Sequence, residues 1–259
     1  MTFKDVITPP KGSVYGSTLS GVLSYQDLMV FLFAMMSRVM KKGKLSDVIL
    51  GGQDGLVSIL GLLLGLAAAT SSSRIIIAGA LATIFAETLS MGAVAYTSKM
   101  ADRDHYAAER NRETRELKET PHEEKQDIID IYTAKGFSGK LLDEIVNHIT
   151  ADDDLWVDTM MREELNLLPV IKKDVYTYSL TVGLSTFAGA ILPLIPFFFL
   201  SVSAALIVAL VLAVIVLAVV GAYKARTTLG NPIKSAIVMV LIGMGAAIAG
   251  YLIGLIFKG

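Results

Sequence analysis

Apolar and polar positions separate along this chain by whole segments. Long apolar stretches run over Val48–Thr70, Ile75–Thr97 (interrupted by Glu87), Thr177–Tyr223 (no charged residue) and Ser235–Phe257. A helix needs about 20 apolar residues to cross a bilayer. Thr177–Tyr223 is too long for one crossing, and Pro193 with Pro196 marks a turn inside it. The pattern therefore predicts an all-α, polytopic membrane protein with five transmembrane helices.

Two other segments read differently. Residues 1–24, with Pro9, Pro10, Gly12, Gly16 and Gly21, form an irregular lead-in, and Tyr25–Met40 places Leu28, Phe31, Leu32, Met35, Met36 and Val39 at helical spacing before Lys41, Lys42 and Lys44. That is the pattern of an interfacial amphipathic helix. Between spans 2 and 3, Met100–Glu119 continues the second helix and Thr120-Pro121 stops it. Shorter helices follow, one broken at Gly136, the next capped by Ser138, and a last one capped by Thr150 or Asp152 and running through Leu168 to Pro169. The expected division is 1–45 lead-in and interfacial helix, 46–98 spans 1 and 2, 99–174 a polar helical module, and 175–259 spans 3 to 5.

Composition sharpens this picture. Hydrophobic residues make up 53% and charged residues 18% of 259, with mean hydropathy +0.59, outside the soluble range. Net charge is −1, but of the 24 acidic residues only Asp5, Asp27, Asp47, Asp54 and Glu87 lie outside Lys99–Asp174. An acidic module set into an apolar body suits cations and excludes nucleic acid as partner. Cysteine is absent, so any metal must be held by carboxylates, Met, His or water. No removable signal peptide is expected at the start, so the spans themselves target the chain. Lys and Arg flank one side: Lys41, Lys42, Lys44, Lys99, Arg103, Lys172, Lys173, Lys224, Arg226 and Lys234, against Arg74 and Lys258 opposite. This predicts a cytoplasmic N-terminus and a cytoplasmic 99–174 module.

Several residues carry candidate chemistry. A carboxylate at the centre of a membrane helix costs roughly 2.5–3.5 kcal/mol on insertion scales, so it faces a partner or a wet path. Asp47 and Asp54 are i, i+7 on span 1 with Ser58 one turn beyond, and Thr83, Glu87 and Met91 are i, i+4, i+8 on span 2. Helix-packing hydrogen bonds are the alternative to a cation path. In the module, Glu109, Glu113 and Glu116 share a helix face, Glu124 and Asp127 are i, i+3, and Met160-Met161-Arg162-Glu163-Glu164 sets thioethers beside carboxylate. A solvated face is the bland reading for any one acidic helix; together with the Met pair the set suits a borderline divalent metal rather than Ca²⁺ or Mg²⁺. His105, His122 and His148 lack paired spacing and read as surface or structural. The pairs Gly51/Gly55, Gly61/Gly65 and Gly250/Gly254 permit close helix approach, and on span 1 this suits a homodimer.

The motifs Asp54-Gly55-Leu56, Leu89-Ser90-Met91-Gly92, Asp104-His105-Tyr106 and Trp156-Val157-Asp158-Thr159-Met160-Met161-Arg162-Glu163-Glu164 occur in this order. Together with the five-span layout they resemble the vacuolar iron transporter family, from about Ser46 onward. The resemblance implies a dimeric exporter that moves Fe²⁺, and often other divalent metals such as Mn²⁺, Co²⁺ and Zn²⁺, out of the cytosol in exchange for H⁺. It implies a vacuolar membrane in a eukaryote and the cell membrane in a prokaryote. Translocation acids fall on Asp47 and Asp54, the pathway methionine on Met91, and module ligands on Glu113, Glu116, Glu124, Glu164, Met160 and Met161, with Asp127 matching a further carboxylate. Thr83 departs from the pattern, since plant members carry a carboxylate there; Glu87, one turn on, is expected to replace it. No permanent cofactor and no enzymatic activity are expected: Glu119 to His122 gives one Glu-x-x-His spacing, without the second that di-iron bundles need. The alternative function is a non-transporting metal sensor or buffer built on the acidic module.

Overall fold

A computed structural model describes residues 45–227 and 230–257. The expected interfacial helix at Tyr25–Met40 and Lys258 lie outside these residues. All described elements are helical: α1 Leu45–Ala69, α2 Ser73–Glu119, α3 Pro121–Ala134, α4 Gly139–Ile149, α5 Asp153–Glu163, α6 Lys172–Leu194 with a 3-10 turn Ile195–Phe198, α7 Val202–Thr227 and α8 Pro232–Ile256. Five of them, α1, α2, α6 with its 3-10 turn, α7 and α8, are long and apolar enough to cross a membrane. The chain divides into two compact units, one of residues up to Ala95 together with Thr177 onward, the other Tyr96–Tyr176.

The membrane unit is built by small residues that let helices touch. On α7 the buried positions Ala205, Ala209, Ala213, Leu217, Gly221 and Ala225 recur every fourth residue, one narrow inward seam. The opposite seam, Ile207, Val211, Ile215 and Val219, is exposed and apolar. An α-helix that shows isoleucine and valine outward while burying alanine has lipid, not water, as its outer solvent. The same holds for α8, where Ile237, Leu241, Ile248, Leu252 and Ile256 are exposed and Met239, Gly243 and Ala247 are buried. Asn231 starts α8 by accepting from the amides of Ile233 and Lys234 at 3.0 and 3.1 Å, with Pro232 at the first helical position.

The glycine pairs of α1 are consumed inside the chain. A Cβ on Gly51 or Gly55 would strike Val182 or Thr186 of α6, and one on Gly61 or Gly65 would meet Ala246 or Gly250 of α8. The small-residue pattern expected to serve a homodimer therefore serves the α1–α6 and α1–α8 contacts. Helix α6 also touches α2, since Gly183 lies against Thr88 and Gly92 and the Ser179 hydroxyl donates to the Gly92 carbonyl at 2.6 Å.

The second unit has a core of its own: Leu117, Ile128, Val146, Ile149, Trp156, Val157, Met160 and Met161. Asp152, not Thr150, caps α5, its carboxylate accepting from the Leu155 amide at 2.9 Å. Ser138 precedes α4 without a side-chain cap bond. Helix α5 ends at Glu163, five residues short of the expected Leu168. The cause is local: Asn166 takes a left-handed φ of 53°, and the amides of Leu165 and Leu167 turn back onto the carbonyls of Met160 and Met161.

Candidate metal sites

In the membrane unit, two spans bring carboxylates together. Asp54 lies half-buried on α1, one turn before Ser58, and Glu87 lies half-buried on α2. The Ser58 hydroxyl donates to the Glu87 carboxylate, and Asp54 is within electrostatic reach of Glu87. The other Glu87 oxygen, Oε2, is buried without a hydrogen-bond partner among the described residues, as is the Thr88 hydroxyl beside it. A buried carboxylate oxygen left unpaired costs free energy unless a proton or cation occupies it.

The remaining expected pathway residues are placed differently. Asp47 sits in the first turn of α1 and accepts from the Ser46 hydroxyl at 2.9 Å, with no bond to the Asp54–Glu87 pair. The Thr83 hydroxyl is spent on its own helix, donating to the Gly79 carbonyl at 3.0 Å. Met91 is half-buried on α2, one turn beyond Glu87.

In the second unit, carboxylates from three segments act on one another. Glu124 on α3 is pushed up to about 7, first by burial and then by the charges of Glu113, Glu116, Asp127 and Glu164. Glu113, on the part of α2 beyond the membrane crossing, is only 2% exposed. Burial raises its pKa, the Arg112 charge opposes that, and Glu164, Glu116 and Glu109 add to it. Glu164, just past α5, is raised by burial and by Asp127. These are the residues that spacing singled out, gathered by α2, α3 and the α5 terminus around one electrostatic centre. Among the described residues, however, no three His, Asp or Glu side chains are disposed to enclose one ion as they stand. Met160 and Met161 are both buried in the apolar core, 1% and 0% exposed, one turn before Glu164. His105, His122 and His148 are exposed.

Arg112 is a residue that the spacing of the acids does not single out. It bonds Glu109 through Nε at 2.9 Å, Glu116 through Nη1 at 2.9 Å and Glu113 through Nη2 at 2.8 Å. Arg110, by contrast, pairs with Asp154 and Asp158 on α5 and ties that helix to α2.

Comparisons with known proteins place the chain among relatives. Residues 45–255 match the model of the VIT family. A vacuolar iron transporter 1 from Tulipa gesneriana is 32% identical over 206 residues, covering 79% of this chain and 83% of that protein. A vacuolar iron transporter from Plasmodium falciparum is 31% identical over 228 residues, 84% and 83% respectively. The Arabidopsis thaliana vacuolar iron transporter 1 is 29% identical over 206 residues. The chain therefore belongs to the VIT family, the vacuolar iron transporter family that its ordered motifs resemble.

Proposed function

We propose that this protein is a proton-coupled transporter that carries Fe²⁺ out of the cytosol for storage or detoxification. The observation that carries this reading is the meeting of Asp54, Ser58 and Glu87 from two spanning helices, with Glu87 Oε2 unpartnered. The names of the relatives supply iron as cargo. Two carboxylates hold two negative charges, which one divalent ion or two protons neutralise. Metal and protons thus compete for the same oxygens, and inward protons drive metal the other way. Glu87 stands in for the acid missing at Thr83, whose hydroxyl is already engaged by Gly79.

In this reading the 99–174 module is cytoplasmic and collects metal through Glu113, Glu116, Glu124, Asp127 and Glu164, with Glu109 on the same face and Met160 and Met161 as thioether donors. Asp47 and Met91 are further stations on the membrane path. The positive flanks Lys172, Lys173, Lys224, Arg226 and Lys234 support that orientation. The working form is a homodimer, in a vacuolar membrane as in the named relatives, or in the cell membrane of a prokaryote.

The test is pH-gradient-driven uptake of Fe²⁺, Mn²⁺, Co²⁺ and Zn²⁺ into proteoliposomes holding wild type or Asp54→Asn. Wild type accumulates metal only with the gradient, and the variant loses this flux. Metal binding with no wild-type flux establishes the sensor or buffer reading instead.

A further inference from the structure

Arg112 sits between carboxylates that the proposed function assigns to metal. Its guanidinium spans Glu109, Glu113 and Glu116 with three contacts of 2.8–2.9 Å. Such a planar fork presents five donors in a fixed geometry and holds carboxylate oxygens of three side chains along one plane, a match that the compact ammonium of lysine lacks. The two acids named as metal ligands here, Glu113 and Glu116, therefore already share one positive charge supplied by the chain itself. Glu113 makes the competition sharp, since it is 2% exposed and its Oε1 faces Arg112 Nη2. Arg112 is 39% exposed, so solvent is open to the guanidinium when it leaves. Its charge also acts on Glu164, across the cluster.

A divalent ion and the guanidinium repel each other and claim the same oxygens. Exchange of one for the other gains one unit of positive charge when the ion is divalent and none when it is monovalent. We propose that Arg112 is an internal competitor for the metal site of the module, a specificity-determining residue that weakens metal affinity and excludes singly charged cations. The device keeps the acidic cluster from filling with K⁺ and leaves it loosely held metal to pass on. The inference rests on the module binding metal.

The test uses full-length protein in nanodiscs, with Mn²⁺ as probe followed by equilibrium dialysis. Arg112→Gln is expected to bind Mn²⁺ about fivefold more tightly than wild type, the scale of one partly exposed ion pair. KCl is then expected to compete with Mn²⁺ in Arg112→Gln but not in wild type, at ionic strength matched with N-methylglucamine chloride. Arg112→Lys, which keeps charge but not the fork, falls between. Arg115→Gln removes an exposed charge from the same helix and changes affinity less than twofold, separating local competition from general charge. In wild type, phenylglyoxal labelling of Arg112, read by mass spectrometry, rises when Mn²⁺ is added; this holds even where a variant fails to fold. Unchanged or weaker Mn²⁺ binding by Arg112→Gln at full stoichiometry, or labelling indifferent to Mn²⁺, overturns the inference and leaves the module reading standing. No Mn²⁺ binding by wild type removes the module reading and this inference with it.

Discussion

Glu124 is expected to make metal binding release protons near neutral pH. It is 8% exposed on α3, and burial followed by the charges of Glu113, Glu116, Asp127 and Glu164 brings its carboxyl to about 7. A group of that pKa holds about 0.9 proton at pH 6, about 0.5 at pH 7 and about 0.1 at pH 8. A cation entering the cluster needs the ionised form, so Glu124 alone should release those amounts per metal. Affinity then rises about tenfold from pH 6 to pH 8 on its account. The stability sign follows from the same shift: the folded state holds this proton more firmly than the unfolded chain. Its contribution is therefore full below the ordinary carboxyl value of 4.5 and is lost as pH rises through about 7. Calorimetric titration with Mn²⁺ in two buffers of different protonation enthalpy counts the protons. Glu124→Gln should remove about half a proton per metal at pH 7 and flatten the decline of stability between pH 4.5 and 7. Equal proton release from variant and wild type would refute the reasoning.

Two further outcomes follow from the membrane unit. Gly189→Ala puts a Cβ into the Gly52 backbone of α1 and should cost about 2 kcal/mol or more, read as a lower unfolding temperature in detergent. Gly245→Ala, with nothing within 4 Å of the new carbon, should be neutral or stabilising; similar behaviour of the two variants sinks the packing argument. Glu87→Gln should abolish proton-driven metal flux in proteoliposomes while leaving Mn²⁺ binding by the module unchanged, and flux retained at wild-type level shows that Glu87 does not replace the acid missing at Thr83.

The long helices were legible because bilayer thickness imposes a length and lipid imposes a composition, two signals that need no knowledge of contacts. The split between the third and fourth spans was legible from proline: Pro193 sits in the last turn of α6 and Pro196 in the 3-10 turn that ends the span, so the turn itself falls a few residues later, after Phe198. Contacts were not. Gly51 and Gly55 announce that something approaches closely, but a glycine does not say whether the partner is another chain or α6 of its own. The end of α5 was missed because Asn166 turns left-handed, a choice made by the backbone rather than by hydrophobic period. The acids of the module stood out by spacing, whereas Arg112 reads in sequence as one of three interchangeable arginines. Only side-chain direction separates it from Arg110, which reaches Asp154 and Asp158, and from Arg115, which is exposed.

The fold treats its two sets of carboxylates in opposite ways, and the difference fits the two tasks that the proposed function gives them. In the module, Glu109, Glu113 and Glu116 share the single positive charge of Arg112, which holds the three acids together while no metal is bound. In the membrane unit, Glu87 is given a hydroxyl from Ser58 and, among the described residues, no positive charge acts on it. An arginine there would satisfy both acids for good and leave a path with no vacancy for cargo, since a paired charge in low dielectric is costly to separate. A hydroxyl instead donates one hydrogen bond and keeps the net charge of the site unfilled. In the proposed function, Asp54 and Glu87 then draw their counter-charge from solution, as protons or as metal, and a site that trades one for the other is what coupled exchange requires.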